Sequence, residues 1–358
     1  MIFISYIIGK ERIIIMMVFV GPHVKATGLH DGVTSRVMSI DALFSDKEKI
    51  YFDIHFFGFL QKKVIVCNNT KIIKCNYFLH IFFIMRLLFA AETVYIHTMM
   101  NYLRVFPYVL FKHKTIVDIH GVLVDELKYN NAPKWKVALY QCIEYLIMRY
   151  SYRIICVTEK MKNYYIDKYN SSAQRILVLP IFSQDVDFNL IRRKRYDMKS
   201  VIYAGNLDKW QCIDKMLEIA SKATQYNYQF LVSDLNRFQD ILSKYKISNL
   251  QYNSVPKPKV YDYYKKATFG FIIRDNNILN QVSCPTKLVE YICNGIIPIT
   301  NGFQLGDFFN LHYITVQDFF TGKIPNEDSL RRMALLNAKL YKSIYHKSVN
   351  SSKTIRNL

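Results

Sequence analysis

The alternation of short apolar runs with amphipathic stretches constrains the fold of this chain more than any other feature of its sequence. A short apolar run predicts a buried strand, and apolar residues that recur at helical spacing predict a helix. Strands that alternate with helices indicate parallel sheets, because parallel neighbours need a crossover connection that a helix usually supplies. The strands predicted in the first half are Ile13–Val20, Lys63–Cys67, Thr93–His97, Thr115–Ile119, Arg153–Thr158 and Arg175–Leu179.

Helical patterns separate these predicted strands. The helices predicted in the first half are Val33–Leu43, Asn101–Phe111, Lys134–Tyr150 and Glu159–Lys168. Residues 183–199 then interrupt the alternation, because they carry the basic cluster Arg192–Arg195 and show no apolar period. We interpret residues 183–199 as an interdomain linker.

A second alternating series begins at Ser200. Its predicted strands are Ser200–Ala204, Gln229–Ser233, Leu250–Asn253, Phe269–Ile273 and Ile297–Thr300. Its predicted helices are Cys212–Ala223, Arg237–Lys244, Lys259–Lys266 and Thr286–Asn294. A chain of 358 residues is longer than one hydrophobic core usually supports. The sequence therefore predicts an α/β protein with domains at residues 13–182 and 200–330, followed by a helical tail at residues 331–358.

Two apolar stretches are too short to cross a bilayer as a helix, which takes about 20 apolar residues. Near the N-terminus, Gly9–Arg12 interrupts the apolar sequence, so residues 1–12 are interpreted as an extension outside the fold. The stretch Tyr77–Ala91 is interrupted by His80 and Arg86. We predict a core helix there, with a helix lying on a membrane surface as the alternative.

The formal net charge of +20 suits three kinds of partner: nucleic acid, an anionic membrane or a phosphorylated substrate. A coding bias towards Ile, Lys, Asn, Tyr and Phe explains the charge equally well. The basic residues are dispersed and form no known nucleic-acid-binding module, which disfavours nucleic acid. The seven cysteines are odd in number and none are separated by only two residues, which indicates a reducing compartment rather than a disulfide framework.

The segment Gly270–Thr300 carries the most informative polar residues. A predicted strand places Arg274 at the carboxyl end of a sheet, and the helix that follows the next loop carries Lys287 and Glu290 in its first turns. A helix N-terminus favours an anion, and the two cations can add charge-assisted bonds to a diphosphate. Glu290 can accept hydrogen bonds from ribose hydroxyls. The alternative is that Lys287 pairs with Glu290 on the helix surface while Arg274 pairs with Asp275.

This segment resembles the signature of the family 4 glycosyltransferases of the GT-B fold, in particular those of bacterial surface-polysaccharide synthesis. The residues that carry the resemblance are Arg274, Pro285, Thr286, Lys287, Glu290, Tyr291, Gly295 and Pro298. The run Val201–Gln211 resembles the first strand of the nucleotide domain of the family, where Gly205 allows close backbone approach to the donor. The similarity is strongest over Ser200–Asn301 and weaker over Asp118–Met161.

The resemblance implies two Rossmann-like domains whose parallel sheets face each other across a cleft. It implies retaining transfer of a hexose from a nucleoside-diphosphate sugar to a glycan or polyprenyl-linked glycan, in capsule or O-antigen synthesis, without a metal or cofactor. The enzyme would be cytoplasmic, either free or in peripheral contact with the anionic inner face of the plasma membrane, and would bind no nucleic acid. The donor-binding residues implied are Gly205, Asn206, Lys209, Asn280, Thr286 and Glu290, with Arg274 and Lys287 stabilising the leaving group.

In the first half, His120 follows the predicted strand Thr115–Ile119 and precedes Gly121. It resembles the active-site histidine of the family, which contacts the donor sugar; the alternative is that it caps the following loop. The glycine-containing loop before the first helix resembles one that approaches the donor phosphates and the acceptor. Its candidate residues are Gly28, Gly32 and Arg36.

Two departures from the family pattern concern the donor site. Many members have a glutamate where this chain has Val282, and an arginine where it has Asn206. These departures leave open the alternative of a catalytically decayed, GT-B-like protein that binds nucleotide sugars. A sugar-nucleotide epimerase shares the fold but needs several carboxylates in its cleft, for which the sequence offers few candidates.

Overall fold

The structure, a computed structural model, describes residues 15–23, 32–111, 114–181, 185–302 and 304–357. The chain forms two compact units, one of Met1–Ile181 with Ser351–Leu358 and the other of Phe182–Asn350. Each unit contains one sheet of mainly parallel strands. The predicted α/β class with two parallel-sheet domains is therefore confirmed. The extension predicted at residues 1–12 lies outside the described residues.

The first unit contains an eight-stranded sheet with the order β3-β4-β2-β1-β5-β6-β7-β8. Its strands are β1 (Ile15–Val20), β2 (Lys49–His55), β3 (Lys63–Cys67), β4 (Thr70–Asn76), β5 (Ala91–His97), β6 (Thr115–Ile119), β7 (Arg153–Cys156) and β8 (Ile176–Val178). All neighbours are parallel except the antiparallel pair β3 and β4. The sequence prediction missed β2 and β4, because Lys49, Asp53 and Lys74 interrupt their apolar runs. The structure pairs these charges, with Lys49 Nζ 2.6 Å from Asp41 Oδ1 and Lys74 Nζ 3.8 Å from Asp53 Oδ2.

The helices of the first unit cover both faces of its sheet. They are α1 (Gly32–Leu43), α2 (Ile81–Ala90), α3 (Thr98–Leu103), α4 (Leu123–Tyr129), α5 (Lys134–Tyr150) and α6 (Glu159–Tyr169). On one face the rings of Phe19, Tyr51 and Tyr95 pack with apolar residues of α1. The continuous helix predicted at Asn101–Phe111 is wrong: α3 ends at Leu103, because Pro107 disfavours helical geometry at the residue before it.

Helix α2 (Ile81–Ala90) is shorter than the core helix predicted over Tyr77–Ala91 and is buried only in part. Only one of its faces is buried, through Ile84, Leu87 and Leu88. Phe82 and Phe89 on the other face are exposed to solvent. In the described part of the chain, no helix combines the length and the apolar character that crossing a membrane requires.

The second unit contains a six-stranded, fully parallel sheet with the order β11-β10-β9-β12-β13-β14. Its strands are β9 (Ser200–Gly205), β10 (Asn227–Val232), β11 (Leu250–Asn253), β12 (Phe269–Phe271), β13 (Ile297–Thr300) and β14 (Ile314–Thr315). Its helices are α7 (Phe188–Arg193), α8 (Ile213–Lys222), α9 (Leu235–Leu242), α10 (Lys257–Lys266), α11 (Ile278–Gln281), α12 (Thr286–Cys293), α13 (Val316–Thr321) and α14 (Glu327–Arg356), whose residues from Ser351 onward belong to the first unit. Gly295 follows α12 with a φ of 63°, as its prediction as a C-terminal cap requires.

The predicted linker and tail contain ordered helices. Within residues 183–199, α7 begins at the carboxylate of Asp187, which accepts hydrogen bonds from the backbone N–H groups of Asn189 and Leu190. Ile191 of α7 is fully buried in the core of the second unit. Helix α14 begins before the predicted tail boundary and buries Tyr341 in the same core, because small and apolar residues recur along one of its faces.

Candidate functional site

The polar residues of the second unit gather where β9 and β12 end. These strands are parallel neighbours, so their carboxyl ends lie at the same edge of the sheet. Gly205 is the last residue of β9, and Arg274 follows β12. This edge is the position at which open α/β sheets bind their ligands.

Gly205 is in direct contact with the side chain of Lys287, in the first turn of α12. A Cβ atom on Gly205 would lie 1.8 Å from Cε and 2.4 Å from Nζ of Lys287. The ammonium group donates a hydrogen bond to Gln211 Oε1 at 3.2 Å and lies 5.5 Å from the ring centroid of Tyr203. A glycine at position 205 therefore lets the lysine end lie against the end of β9.

Arg274 belongs to the same group of residues. Its side chain is buried, and Nη1 donates a hydrogen bond to the carbonyl oxygen of Trp210 at 2.8 Å. Since Trp210 and Gln211 are consecutive, one short segment accepts hydrogen bonds from both Arg274 and Lys287. The two cations are thus brought together from separate parts of the chain.

The charges of these two cations are balanced only in part, by Asp208 and Glu290 at longer range. Among the described residues, neither Arg274 nor Lys287 forms an ion pair with a carboxylate. Burial lowers the pKa of Arg274. Burial, together with the nearby charge of Arg274, lowers the pKa of Lys287 to about 7. A buried arginine and a partly buried lysine without a carboxylate in contact are unfavourable, so a bound anion would stabilise this arrangement.

The carboxylates nearby are occupied elsewhere, which rules out the surface-pair alternative. Asp275 Oδ1 lies 2.5 Å from Lys215 Nζ, not against Arg274. Glu290 Oε2 accepts a hydrogen bond from the hydroxyl of Tyr264 at 2.8 Å, and Oε1 lies 3.9 Å from Lys257 Nζ. Glu290 is therefore positioned by Tyr264, one turn along α12 from Lys287.

The other predicted donor residues have different surroundings. Asn280 is buried, and its amide nitrogen donates to the carbonyl oxygen of Asp275 at 2.8 Å. This amide thus holds its own loop, and its role as a donor-binding group stays a prediction. Asn206 and Lys209 are exposed on the segment after β9, while Thr286 is the half-buried first residue of α12.

In the first unit, His120 lies beside a buried carboxylate. His120 Nε2 is 3.3 Å from Asp118 Oδ2, and the hydroxyl of Tyr95 donates to the same oxygen at 3.0 Å. His97 Nδ1 is 3.8 Å from this oxygen, which is too long for a hydrogen bond. His97 and Asp118 are register partners at the ends of β5 and β6.

Arg36 compensates the charge of Asp118. Its Nε and Nη2 donate to the two oxygens of Asp118 at 3.0 Å each, and its Nη1 donates to the carbonyl oxygens of Leu179 and Pro180. Burial alone would raise the pKa of Asp118, but the charges of Arg36 and His120 outweigh it, so this pKa lies well below its usual value. Burial lowers the pKa of His97, which favours its neutral form.

The position of Arg36 corrects one sequence hypothesis. Arg36 is fully buried and makes four hydrogen bonds inside the first unit, so it does not offer an open guanidinium to a phosphate or an acceptor. Gly32 is the first residue of α1, and Gly28 lies outside the described residues. The sequence reasoning missed Asp118, although its position one residue before the end of a predicted strand, beside His120, is a usable signal.

The residues His97, Asp118 and His120 also place possible metal ligands within 4.8 Å of one another. Histidine nitrogen and carboxylate oxygen suit zinc and other transition metals. Both oxygens of Asp118, however, already accept bonds from the Arg36 guanidinium. A metal would have to displace a buried cation, so the cluster fits an internal charge network better than a metal site.

The comparisons with known proteins agree with this architecture. No protein-family model and no curated protein matches the sequence. Among solved structures, sucrose-phosphate synthase from Thermosynechococcus elongatus has a TM-score of 0.67 at 10% identity, over 96% of this chain and 98% of that one. The lipopolysaccharide outer core galactosyltransferase WaaB has a TM-score of 0.62 at 16% identity, over 96% of this chain and 100% of its own.

A third solved structure is the pneumococcal O-GlcNAc transferase GtfA in complex with UDP and GlcNAc. It has a TM-score of 0.57 at 14% identity, over 80% of this chain and 61% of its own. At such identities a structural match shows the fold alone. The fold is that of the GT-B glycosyltransferases.

Proposed function

We propose that this chain is a retaining glycosyltransferase that uses a nucleoside-diphosphate sugar as donor. The observation that carries the proposal is that Arg274 and Lys287 lie at the carboxyl ends of β9 and β12 without an ion-paired carboxylate among the described residues. A donor diphosphate supplies the negative charge that these residues lack. The GT-B fold and the family resemblance of the same segment support this assignment.

The residues around the cations suggest how the donor is held. Arg274, Lys287 and the N-terminus of α12 would bind the diphosphate, with Gly205 leaving space for the side chain of Lys287 beside the end of β9. Glu290, positioned by Tyr264, would accept hydrogen bonds from the ribose hydroxyls. The same cations would stabilise the charge that develops on the leaving diphosphate as the glycosidic bond breaks.

His120 is proposed to act on the sugar rather than on the diphosphate. The resemblance assigns it to contact with the donor sugar, and its distance of 3.3 Å to Asp118 Oδ2 gives one ring nitrogen a fixed anionic neighbour. Asp118 would therefore orient the imidazole, as carboxylates commonly do for functional histidines. No proton transfer to Asp118 is needed, since Arg36 keeps it charged.

We extend the proposal to a membrane-linked glycan as acceptor. The sequence resemblance and the charge of +20 support four further parts of the proposal. These are membership of family 4, a role in surface-polysaccharide synthesis, a reaction without a metal, and a cytoplasmic location with a peripheral membrane contact. The similarity in fold to WaaB, which is named as a galactosyltransferase of the lipopolysaccharide outer core, is consistent with this class of acceptor.

A thermal-shift screen against UDP, GDP, ADP, CMP, dTDP and their common sugars tests the donor site. A nucleotide present at about 100 times its dissociation constant adds about 2.7 kcal/mol to the free energy of unfolding. We expect one nucleotide class to stabilise the wild type, and Lys287→Met and Glu290→Gln to lose that effect. Lys222→Met is the control, because Lys222 lies exposed on α8 and pairs with Glu218.

Two further outcomes of the screen are informative. If no nucleotide stabilises a cooperatively melting protein, the donor site is misassigned. If a nucleotide sugar binds but is never hydrolysed without acceptor or transferred to any glycan, the decayed binding protein becomes the better description.

A further inference from the structure

The proposed donor chemistry does not use an apolar surface of the first unit. We call it the α2 surface, and it consists of Phe57, Leu60, Phe78, Leu79, Phe82 and Phe89. All six side chains are exposed, and Phe57 and Phe82 are 87% and 83% accessible to solvent. Adjacent exposed aromatic and aliphatic side chains usually mark a place where a protein contacts a partner or a membrane.

Asn76 holds two parts of the α2 surface together. Its side-chain nitrogen donates to the carbonyl oxygens of Phe56 and Gly58, in the loop after β2. Its side-chain oxygen accepts from the backbone N–H groups of Phe78 and Leu79, in the turn after β4. Since β2 and β4 are parallel neighbours, their following loops emerge at the same edge of the sheet.

Helix α2 extends the surface along one of its sides. Phe82, Arg86 and Phe89 are exposed and follow the spacing of one helix face. The opposite face is buried, and Phe83 packs against Phe52 of β2 at a centroid distance of 5.9 Å. The exposed phenylalanines therefore lie on a helix whose opposite face packs against the sheet.

The outermost strand of the sheet, β3, also exposes apolar side chains. Val64 and Val66 of β3 are exposed and point to the same side of the strand. Val64 pairs with Ile73, which pairs with Phe52, so all three side chains lie on the face that α2 covers. Both valines thus lie on the same side of the sheet as the α2 surface.

The chain around this surface is rich in basic residues, although Lys63 and Lys74 lie on the opposite face of the sheet and Lys74 pairs with Asp53. Residues 54–91 contain five Lys or Arg and no Asp or Glu. These basic residues are Lys62, Lys63, Lys71, Lys74 and Arg86. The ammonium group of Lys62 lies 4.2 Å from the ring centroid of Phe83, which shows that a basic side chain and the ring behind the surface are in contact.

We propose that the α2 surface binds an anionic lipid membrane. Exposed phenylalanine and leucine side chains can enter the boundary between headgroups and acyl chains, while lysine and arginine stay at the level of the anionic headgroups. A second copy of this chain is a poorer partner, because it would bring two basic surfaces together. The proposal refines the membrane contact of the proposed function, yet vesicle binding needs no donor and is tested separately.

Vesicle flotation of the full-length chain tests the proposal. We expect the wild type to float with vesicles of phosphatidylcholine and phosphatidylglycerol, and to bind vesicles of phosphatidylcholine alone much more weakly. Phe57→Ser combined with Phe82→Ser should lower the partition coefficient at least about tenfold, since two exposed rings no longer enter the interface. Lys62→Gln combined with Arg86→Gln should lower it about tenfold on anionic vesicles only.

The control is Trp135→Ser combined with Phe309→Ser, which removes two exposed aromatic rings that are not part of the α2 surface. It should leave vesicle binding unchanged, and all variants should keep the wild-type melting temperature and nucleotide response. Wild type that fails to float overturns the proposal, as does a control that loses binding to the same extent. Unchanged flotation of the Phe57/Phe82 variant with a change from dimer to monomer would make a second copy the partner instead.

Discussion

Each unit buries an arginine beside a residue with a predicted role in catalysis, and the two arginines differ in their partners. Arg36 meets the carboxylate of Asp118 through two hydrogen bonds of 3.0 Å, so the first unit balances its own charge. Arg274 donates to a backbone carbonyl and lies near a second cation, Lys287, whose pKa burial lowers to about 7. The cluster around Arg36 needs no ligand, because its charges are paired within the first unit. The cluster around Arg274 would be stabilised by an anionic ligand.

The largest effect is expected where the balance is complete. Asp118→Ala leaves the guanidinium of Arg36 buried without its counter-charge, which should lower the free energy of unfolding by about 3–5 kcal/mol. Urea denaturation monitored by circular dichroism measures this loss. Asp118→Asn, which keeps one acceptor oxygen, should lose less.

Asp46→Ala is the matched control for Asp118→Ala. Asp46 also pairs with an arginine, at 2.8 Å from Arg356 Nη2, but both side chains are more than half exposed. The control should cost less than about 1 kcal/mol, because water and salt screen an exposed pair. Equal losses in the two variants would show that the network around Asp118 is not a buried charge balance.

The opposite sign is expected in the second unit. Lys287→Met removes a cation that has no carboxylate partner, so it should raise the free energy of unfolding of the unliganded protein by about 1–2 kcal/mol. The same variant should weaken binding of the nucleoside diphosphate about 10-fold to 100-fold, since a charge-assisted hydrogen bond contributes about 1.5–3 kcal/mol. Urea denaturation and isothermal titration calorimetry give the two numbers. A variant that is both less stable and unchanged in affinity would contradict the comparison.

The pH dependence of donor binding tests the charge of Lys287 directly. With a pKa of about 7 in the free protein, its ammonium group loses its proton as the pH rises above neutrality. A bound diphosphate favours the charged form, so binding takes up a proton, and affinity should fall by up to about tenfold for each pH unit above 7. A nucleotide sugar is the right probe, because its doubly esterified diphosphate does not titrate near neutrality.

Lys194 provides the control for this pH dependence. Its pKa is also lowered by burial to about 7, but its ammonium group donates to the carbonyl oxygens of Tyr264 and Asn294. For both lysines the folded pKa lies below the unfolded value of 10.5, so the unfolded state binds more protons between these values. These two lysines should therefore make the stability of the unliganded protein rise with pH from about 7, until the thiols of Cys75 and Cys156, whose pKa values burial raises, oppose the rise above about 9. Lys194→Met should make the rise of stability with pH smaller, and it should leave the pH dependence of donor affinity unchanged. Lys287→Met should abolish the pH dependence of donor affinity.

The same contrast explains what the sequence could predict. The alternation of strands and helices predicted the two parallel sheets, because the periodic pattern of buried residues is visible within each short stretch of sequence. It missed β2 and β4, whose internal charges are neutralised by partners elsewhere in the chain, such as Asp41 for Lys49. In the same way Arg36 was predicted to be an open cation, because its partner Asp118 lies 82 residues away.

The cations of the second unit were easier to find, since Arg274, Lys287 and Glu290 lie within one strand–loop–helix segment. The sequence could not show that Asn280 holds its own loop or that Lys257 lies 3.9 Å from Glu290. These contacts depend on where each side chain points in the folded protein. A sequence motif predicts only the backbone elements on which the side chains lie.

The smallest effect is expected when the unbalanced cation is moved rather than removed. In Gly205→Ala the new methyl group would meet Cε of Lys287 at 1.8 Å, so the ammonium end must shift. Because that end is flexible, the free energy of unfolding should change by less than about 1 kcal/mol. Nucleotide affinity should nevertheless fall about fivefold, as a charge-assisted hydrogen bond is stretched rather than lost. Affinity equal to wild type would mean that the diphosphate does not depend on the position of Lys287, and the charge imbalance would then be a packing feature of this sheet edge rather than its binding site.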